Sequence, residues 1–276
     1  MKYIFTLSGN SERFTKEGFI VKPLIKIDDR YVIEYVLDMY PDIDFRNVIF
    51  IVNDQDVKNH KINEVIEELY PLSKVVIIPA HRKGPVVSLL KIQDIIEDKE
   101  PYIISYCDLT HKWNYRDFIK CLTETRCDGC LVTHTGRHPH RMRNINFAHL
   151  KLNNEQVLEV KEKGYYTKDP LSEYASSGIY YFRKGKVLKK YCKKMIENDE
   201  KVNGEFYVTL IYNQMIRDGM YVLNYPTDNY VCFGTPLDLM GFKYWKALIN
   251  NKTTSEEVDF IEGYWRRYHD TNQKQT

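Results

Sequence analysis

The chain has 276 residues, 43% of them hydrophobic and 13% aromatic, and 40 Lys+Arg against 38 Asp+Glu leave a net charge of +2. That much apolar surface excludes disorder over most of the length, and the near-neutral balance excludes a basic nucleic-acid coat, an acidic tail or a polybasic tether. No apolar run approaches the roughly 20 residues of a membrane helix, and the start lacks the length and cleavage site of a secretory signal. The expectation is a cytoplasmic protein with no nucleic-acid and no membrane partner.

In chain order, residues 3–7, 47–53, 74–79 and 102–106 are apolar, β-branched and aromatic, and are predicted as buried strands. Between them, residues 31–40, 63–70 and 86–96 place apolar side chains three or four apart and are predicted as helices. A β-α-β-α-β order implies an α/β fold with a mostly parallel central sheet and helices on both faces, Rossmann-like in build. Further strands are expected near 130–134, 146–152, 157–161 and 179–182, the last three as a small antiparallel sheet layer. Helices follow at 185–198 and 204–218, with an amphipathic segment at 256–268. No Pro/Gly/Ser linker separates the halves, so residues 1–245 are expected to form one domain and 246–276 a C-terminal helix and tail. Docking on its own subunit is the expected fate of that helix, a homo-oligomer contact the alternative.

Parallel sheets bind ligands beyond the carboxyl ends of their strands. Two loops fall there. The first runs from Leu7-Ser8-Gly9-Asn10 through Arg13 to Lys22-Pro23, and its small residues can offer backbone N–H groups to phosphate. Arg13 would add a bidentate clamp and Lys22 a compact point charge. The second is the turn at Cys107-Asp108, where a carboxylate closes the fourth strand. A cationic stretch, Arg137-His138-Pro139-His140-Arg141, follows a strand at the same rim and is expected to face substrate phosphate through His138 and His140. Cys127 and Cys130 form the one C-x-x-C, which without a second pair reads as reduced thiols.

Taken together the motifs resemble the sugar-nucleotide pyrophosphorylase (nucleotidyltransferase) family, in its capsule and surface-glycan branch. The carriers are Gly9-Asn10-Ser11-Glu12-Arg13-Phe14 with Lys22-Pro23, Gly84-Pro85-Val86, Asp108, and Glu159 to Lys163, then Gly178-Ile179-Tyr180, Gly204-Glu205-Phe206-Tyr207 and Gly234-Thr235-Pro236-Leu237-Asp238-Leu239. The resemblance implies that a phosphate ester attacks the α-phosphorus of a nucleoside triphosphate, CTP or UTP favoured, and releases pyrophosphate. It implies Leu7, Ser8, Gly9, Asn10, His81 and Gly84 against the nucleotide, Arg13 and Lys22 on its phosphates, and Asp108 as the Mg²⁺ ligand. Glu162, Lys163, Gly178 and Glu205 would engage the phosphorylated small molecule. Two positions depart from the family: Glu12 brings a carboxylate near the triphosphate loop, and Cys232 stands where a second metal-ligating aspartate is usual. A glycosyltransferase is disfavoured because Asp-x-Asp is missing at the fourth strand end. A non-catalytic relative is disfavoured by the retained Arg13, Lys22, Asp108 and Lys163.

Overall fold

The computed structural model describes residues 1–136, 138, 140–141, 147–250 and 263. The amphipathic segment at 256–268 falls almost wholly outside them.

The strands are β1 (Lys2–Thr6), β2 (Lys26–Ile27), β3 (Arg30–Tyr31), β4 (Val48–Asn53), β5 (Lys74–Ile78), β6 (Tyr102–Tyr106), β7 (Leu109–Thr110), β8 (Gly129–His134), β9 (His149–Asn153), β10 (Gln156–Lys161), β11 (Ala175–Phe182), β12 (Val222–Pro226) and β13 (Val231–Cys232). The helices are α1 (Glu12–Thr15), α2 (Val32–Leu37), α3 (Asp54–His60), α4 (Ile62–Leu69), α5 (Pro85–Lys91), α6 (Tyr115–Thr125), α7 (Gly185–Glu197), α8 (Val208–Arg217) and α9 (Pro236–Ile249). Nine strands form one sheet in the order β5-β4-β1-β6-β11-β8-β12-β10-β9.

The expected mostly parallel sheet is corrected here. β5, β4, β1 and β6 are parallel, but β11 enters antiparallel to β6 and β8, and β10 and β9 close the far edge antiparallel. The separate antiparallel layer is corrected too: its strands extend the same sheet. The reason is that β8 pairs in parallel with β12, a strand arriving from nearly ninety residues later, and β11 is wedged between β6 and β8. Strand direction is set by such long-range neighbours and leaves little trace in local pattern.

Alternation along the central strands explains the two faces. Tyr3, Phe5, Val48, Phe50, Val52 and Ile103 point to one side, where α2, α4 and α6 supply Val36, Ile66 and Phe118. Ile4, Ile49, Ile51 and Ile104 point to the other, under Val86 and Leu89 of α5, Leu188 and Tyr191 of α7, and Ile211 and Tyr212 of α8. A third cluster (Phe14, Ile25, Ile27, Val32, Phe233 and Leu239) ties the 8–35 segment to the start of α9. That helix runs through position 245. Among the described residues no helix is long and apolar enough to cross a membrane.

Candidate active site

β1 and β6 are paired in register, Thr6 against Tyr106, so the loops that leave them start side by side. Leu7 and Ser8 are buried at the start of the first loop; Leu7 donates to the Ile51 carbonyl at 2.9 Å, and Asn53 Nδ2 donates to the Ser8 carbonyl at 3.3 Å. Ser11 Oγ accepts from the Lys22 amide at 3.0 Å, which folds the loop back on itself and fixes the stem of the lysine.

Lys22 Nζ then reaches Asp108 Oδ2 at 2.8 Å, with side-chain exposures of 19% and 28%. Burial disfavours the ammonium, but the Asp108 carboxylate beside it more than offsets this and lifts the lysine above its ordinary range. Cys232 lies on β13, paired with Leu109 of β7, and its Sγ accepts from the Gly234 amide at 3.2 Å. Cys232, expected to stand at the place of a second metal-ligating aspartate, therefore lies near Asp108 and presents a thiol there. Burial pushes that thiol up, so it stays protonated, and lifts Cys107 to about 12.

Arg13 is exposed on α1, and among the described residues no hydrogen bond or ion pair holds it. Glu12 is not left facing the site as a bare charge. It bridges Lys16 at 2.8 Å and Arg82 at 3.3 Å, a contact between the first loop and the 80–84 loop, and the Lys16 hydrogen bond with Arg82 nearby holds its carboxyl below the usual range. Gly9 and Asn10 sit at the exposed crest. His81 and Gly84 lie across from them. Gly84, at φ +86°, precedes α5, and a Cβ there would stand 2.7 Å from the Phe206 amide nitrogen and carbonyl oxygen. That close approach joins the 80–84 loop to the Gly204–Tyr207 segment.

Glu162, Lys163 and Glu205 belong to a second cluster. Glu162 and Lys163 follow β10, with Lys163 in the left-handed region at φ 53°. Thr209 of α8 donates to Glu162, and burial raises the Glu162 carboxyl above its ordinary value. Lys163 Nζ donates to the Tyr207 hydroxyl, lies 4.6 Å from its ring centroid, and Tyr207 in turn donates to Glu205. Gly178, at φ +83°, sits in a bulge of β11 where a Cβ would meet Leu109 Cδ2 at 2.6 Å. In the sequence Tyr207 is only the last letter of the Gly204–Tyr207 motif, with no role of its own, and Thr209 was missed, reading as an ordinary first-turn helix residue.

The cationic stretch is arranged differently from the expectation. Arg141 is fully buried and donates to the carbonyls of Pro170, Glu173 and Leu171. His140 is 6% exposed, with Nε2 3.4 Å from His134 Nε2, and His138 Nε2 is 2.9 Å from the Thr135 carbonyl. His134 stacks on Tyr230 at 3.9 Å. These side chains pack into an aromatic cluster, and Arg141, expected at a phosphate, instead ties loop carbonyls together. Arg137, Pro139 and residues 142–146 lie outside the described residues. Cys127 and Cys130 are buried free thiols. Among the described residues no group of three or more His, Cys, Asp or Glu could hold a metal ion.

A small-residue loop at the carboxyl end of a central sheet, closing on a lysine–carboxylate pair, is the arrangement of a nucleotidyltransferase. A family model described as the MobA-like NTP transferase domain matches residues 7–175, and the chain belongs to that family. It is similar in fold to the nucleoside-diphosphate-sugar pyrophosphorylase of Vibrio cholerae RC9, with TM-score 0.68 and 17% identity over 87% of this chain and 99% of that one. A putative glucose-1-phosphate thymidylyltransferase from Bacillus anthracis, in complex with a sucrose, gives TM-score 0.69 and 17% identity over 94% and 99%. Among curated proteins none matches the chain.

Proposed function

We propose that this nucleotidyltransferase joins a nucleoside triphosphate, CTP or UTP, to a phosphorylated small molecule in the cytoplasm, with release of pyrophosphate, and serves surface polysaccharide synthesis. The acceptor is a sugar 1-phosphate or another phosphate ester. The observation that carries the reading is Lys22 Nζ on Asp108 Oδ2 at 2.8 Å, at the paired ends of β1 and β6. The motifs of the capsule branch support the pyrimidine and the polysaccharide role.

The reaction brings two polyanions into line, so it needs cations on both and no covalent intermediate. Arg13 takes the triphosphate. Lys22 follows the reacting phosphates as charge moves to the departing pyrophosphate. Lys163, held by Tyr207, takes the acceptor phosphate, and Glu162 and Glu205 engage the rest of that molecule. His138 and His140, from their aromatic cluster with His134 and Tyr230, are assigned to the phosphorylated substrate. Asp108 is a hard oxygen ligand suited to Mg²⁺, whereas the Cys232 thiol is soft and protonated. That donor set fits a Mg²⁺ ion carried in on the triphosphate and shared by Asp108, phosphate oxygens and water. Bound there, Mg²⁺ would neutralise phosphate charge.

The test is a matrix of nucleoside triphosphates against a library of phosphate esters with Mg²⁺, read by pyrophosphate release. Release with at least one pair is expected. Silence across the matrix, with no triphosphate binding, overturns the reading.

A further inference from the structure

Ser8, Ser88 and His81 form a chain of hydrogen bonds at the first loop. Lys83 N lies 3.2 Å from His81 Nδ1. A backbone amide can only donate, so Nδ1 is the unprotonated nitrogen and a neutral ring carries its proton on Nε2. That N–H faces Ser88 Oγ at 3.1 Å and donates to it. Ser88 Oγ and Ser8 Oγ stand 2.8 Å apart, and since either hydroxyl can donate to the other, the pair has one proton to spare; when Ser88 donates, the spare proton is that of Ser8. Among the described residues Ser8 Oγ has no second partner, and Ser8 and Ser88 are 4% and 2% exposed.

We propose that Ser88 donates to Ser8 in this relay, which makes the Ser8 hydroxyl a hydrogen-bond donor to an acceptor oxygen of the bound nucleotide, with Ser88 as a positioning residue. The proposal rests on the nucleotide reading above. A buried hydroxyl proton with no acceptor is costly, and an oxygen brought by the nucleotide supplies one. Ser8 is otherwise pinned, since its carbonyl accepts from Asn53.

The ring is suited to staying neutral. Burial, then Lys91 on α5 and Lys83 on its own loop, hold its pKa below the ordinary 6.5. The ring meets the Ser88 hydroxyl of α5, and Arg82 beside it pairs with Glu12 of the facing loop. Protonation at Nδ1 would set an N–H against the Lys83 N–H and open the 81–84 turn. Nucleotide affinity should therefore fall on the acid side of that lowered pKa.

The acceptor oxygen belongs either to the base, as a carbonyl, or to the triphosphate. Calorimetry on the full chain separates the two, using CTP and UTP, the free nucleosides, and inorganic tripolyphosphate, at pH 8 and 5.5. Ser88→Ala should weaken triphosphate binding about five- to tenfold, the worth of one hydrogen bond, and Ser88→Thr should restore it. Loss confined to the nucleosides assigns the base carbonyl; loss confined to tripolyphosphate assigns a phosphate oxygen. His81→Gln keeps a donor where Nε2 stood and removes the titration, so whatever affinity it has at pH 8 should no longer weaken on the acid side. With folding confirmed by melting, unchanged binding of every probe by Ser88→Ala overturns the relay alone, as does an unaltered pH profile in His81→Gln. Wild-type protein that binds no triphosphate overturns the nucleotide reading and the relay with it.

Discussion

Replacing Lys22 by methionine should move two observables in opposite directions. The ammonium is 2.8 Å from Asp108 Oδ2 in a partly open site. Two unit charges about 4 Å apart attract by roughly 4 kcal/mol at an effective dielectric near 20. Most of that is offset by withdrawing both groups from water, which leaves a net worth of about 1 kcal/mol, between the exposed and buried extremes. Melting should therefore drop by only about 2–4 °C. In the free protein Mg²⁺ must compete with the ammonium for Asp108, and removing that competitor should raise apo Mg²⁺ affinity by up to about tenfold, since 1.4 kcal/mol is a factor of ten. Turnover should nevertheless fall by about 10² or more, because the charge counts most as pyrophosphate leaves. Calorimetry with Mg²⁺ on the apo protein, paired with pyrophosphate release at saturating substrates, measures both. Undiminished turnover, or weaker apo Mg²⁺ binding, would refute the assignment of Lys22 and Asp108 to one centre.

Three further outcomes follow from the geometry. Gly84→Ala combines a left-handed φ of +86° with a Cβ 2.7 Å from Phe206 backbone atoms that cannot rotate away; it should cost about 2–4 kcal/mol in a denaturant titration, whereas Gly9→Ala, with nothing within 4 Å, should be silent. Burial gives Glu162 a raised pKa, so the folded state binds its proton more tightly and the stability this contributes is lost as pH rises through that value. Glu162→Gln should thus melt higher than wild type at pH 8 but not at pH 4, while acceptor KM rises; an equal shift at both pH values would contradict it. Cys232→Asp should strengthen apo Mg²⁺ binding, and unchanged calorimetry would mean that this strand edge does not face the metal.

The buried strands were legible because β1, β4 and β6 are largely apolar runs whose two faces are both covered, which is also why their boundaries agree to within a residue or two. α3 left no such trace: its sequence Asp-Gln-Asp-Val-Lys-Asn-His has one apolar residue and no buried one. It forms because Asn53 caps it, the Asn53 side chain accepting from the Asp56 amide at 2.8 Å. β12 and the direction of β11 depend on partners distant in the chain. In the site, Arg13, Lys22 and Asp108 stood out through motif and spacing, whereas Ser88 and Tyr207 act only through a neighbour, Ser8 in one case and Lys163 in the other. Arg141 misled because a guanidinium serves a carbonyl as readily as a phosphate, and composition does not distinguish the two.

The reversal of direction between β6 and β11 has a consequence for how such a protein diversifies. Under the proposed assignment, the residues for the triphosphate hang from the parallel strands and those for the phosphate ester from the antiparallel ones, with Asp108 just beyond the end of β6 and Gly178 on its neighbour β11 along the seam. Adjacent strands lie about 4.8 Å apart, so the reacting groups are brought together by a fixed ladder of backbone hydrogen bonds, and no hinge between separate bodies is required. Substitutions beyond the seam can then alter which ester is accepted without disturbing the half that handles the nucleotide. A lineage can try new cargo while its energy-donating chemistry is inherited intact.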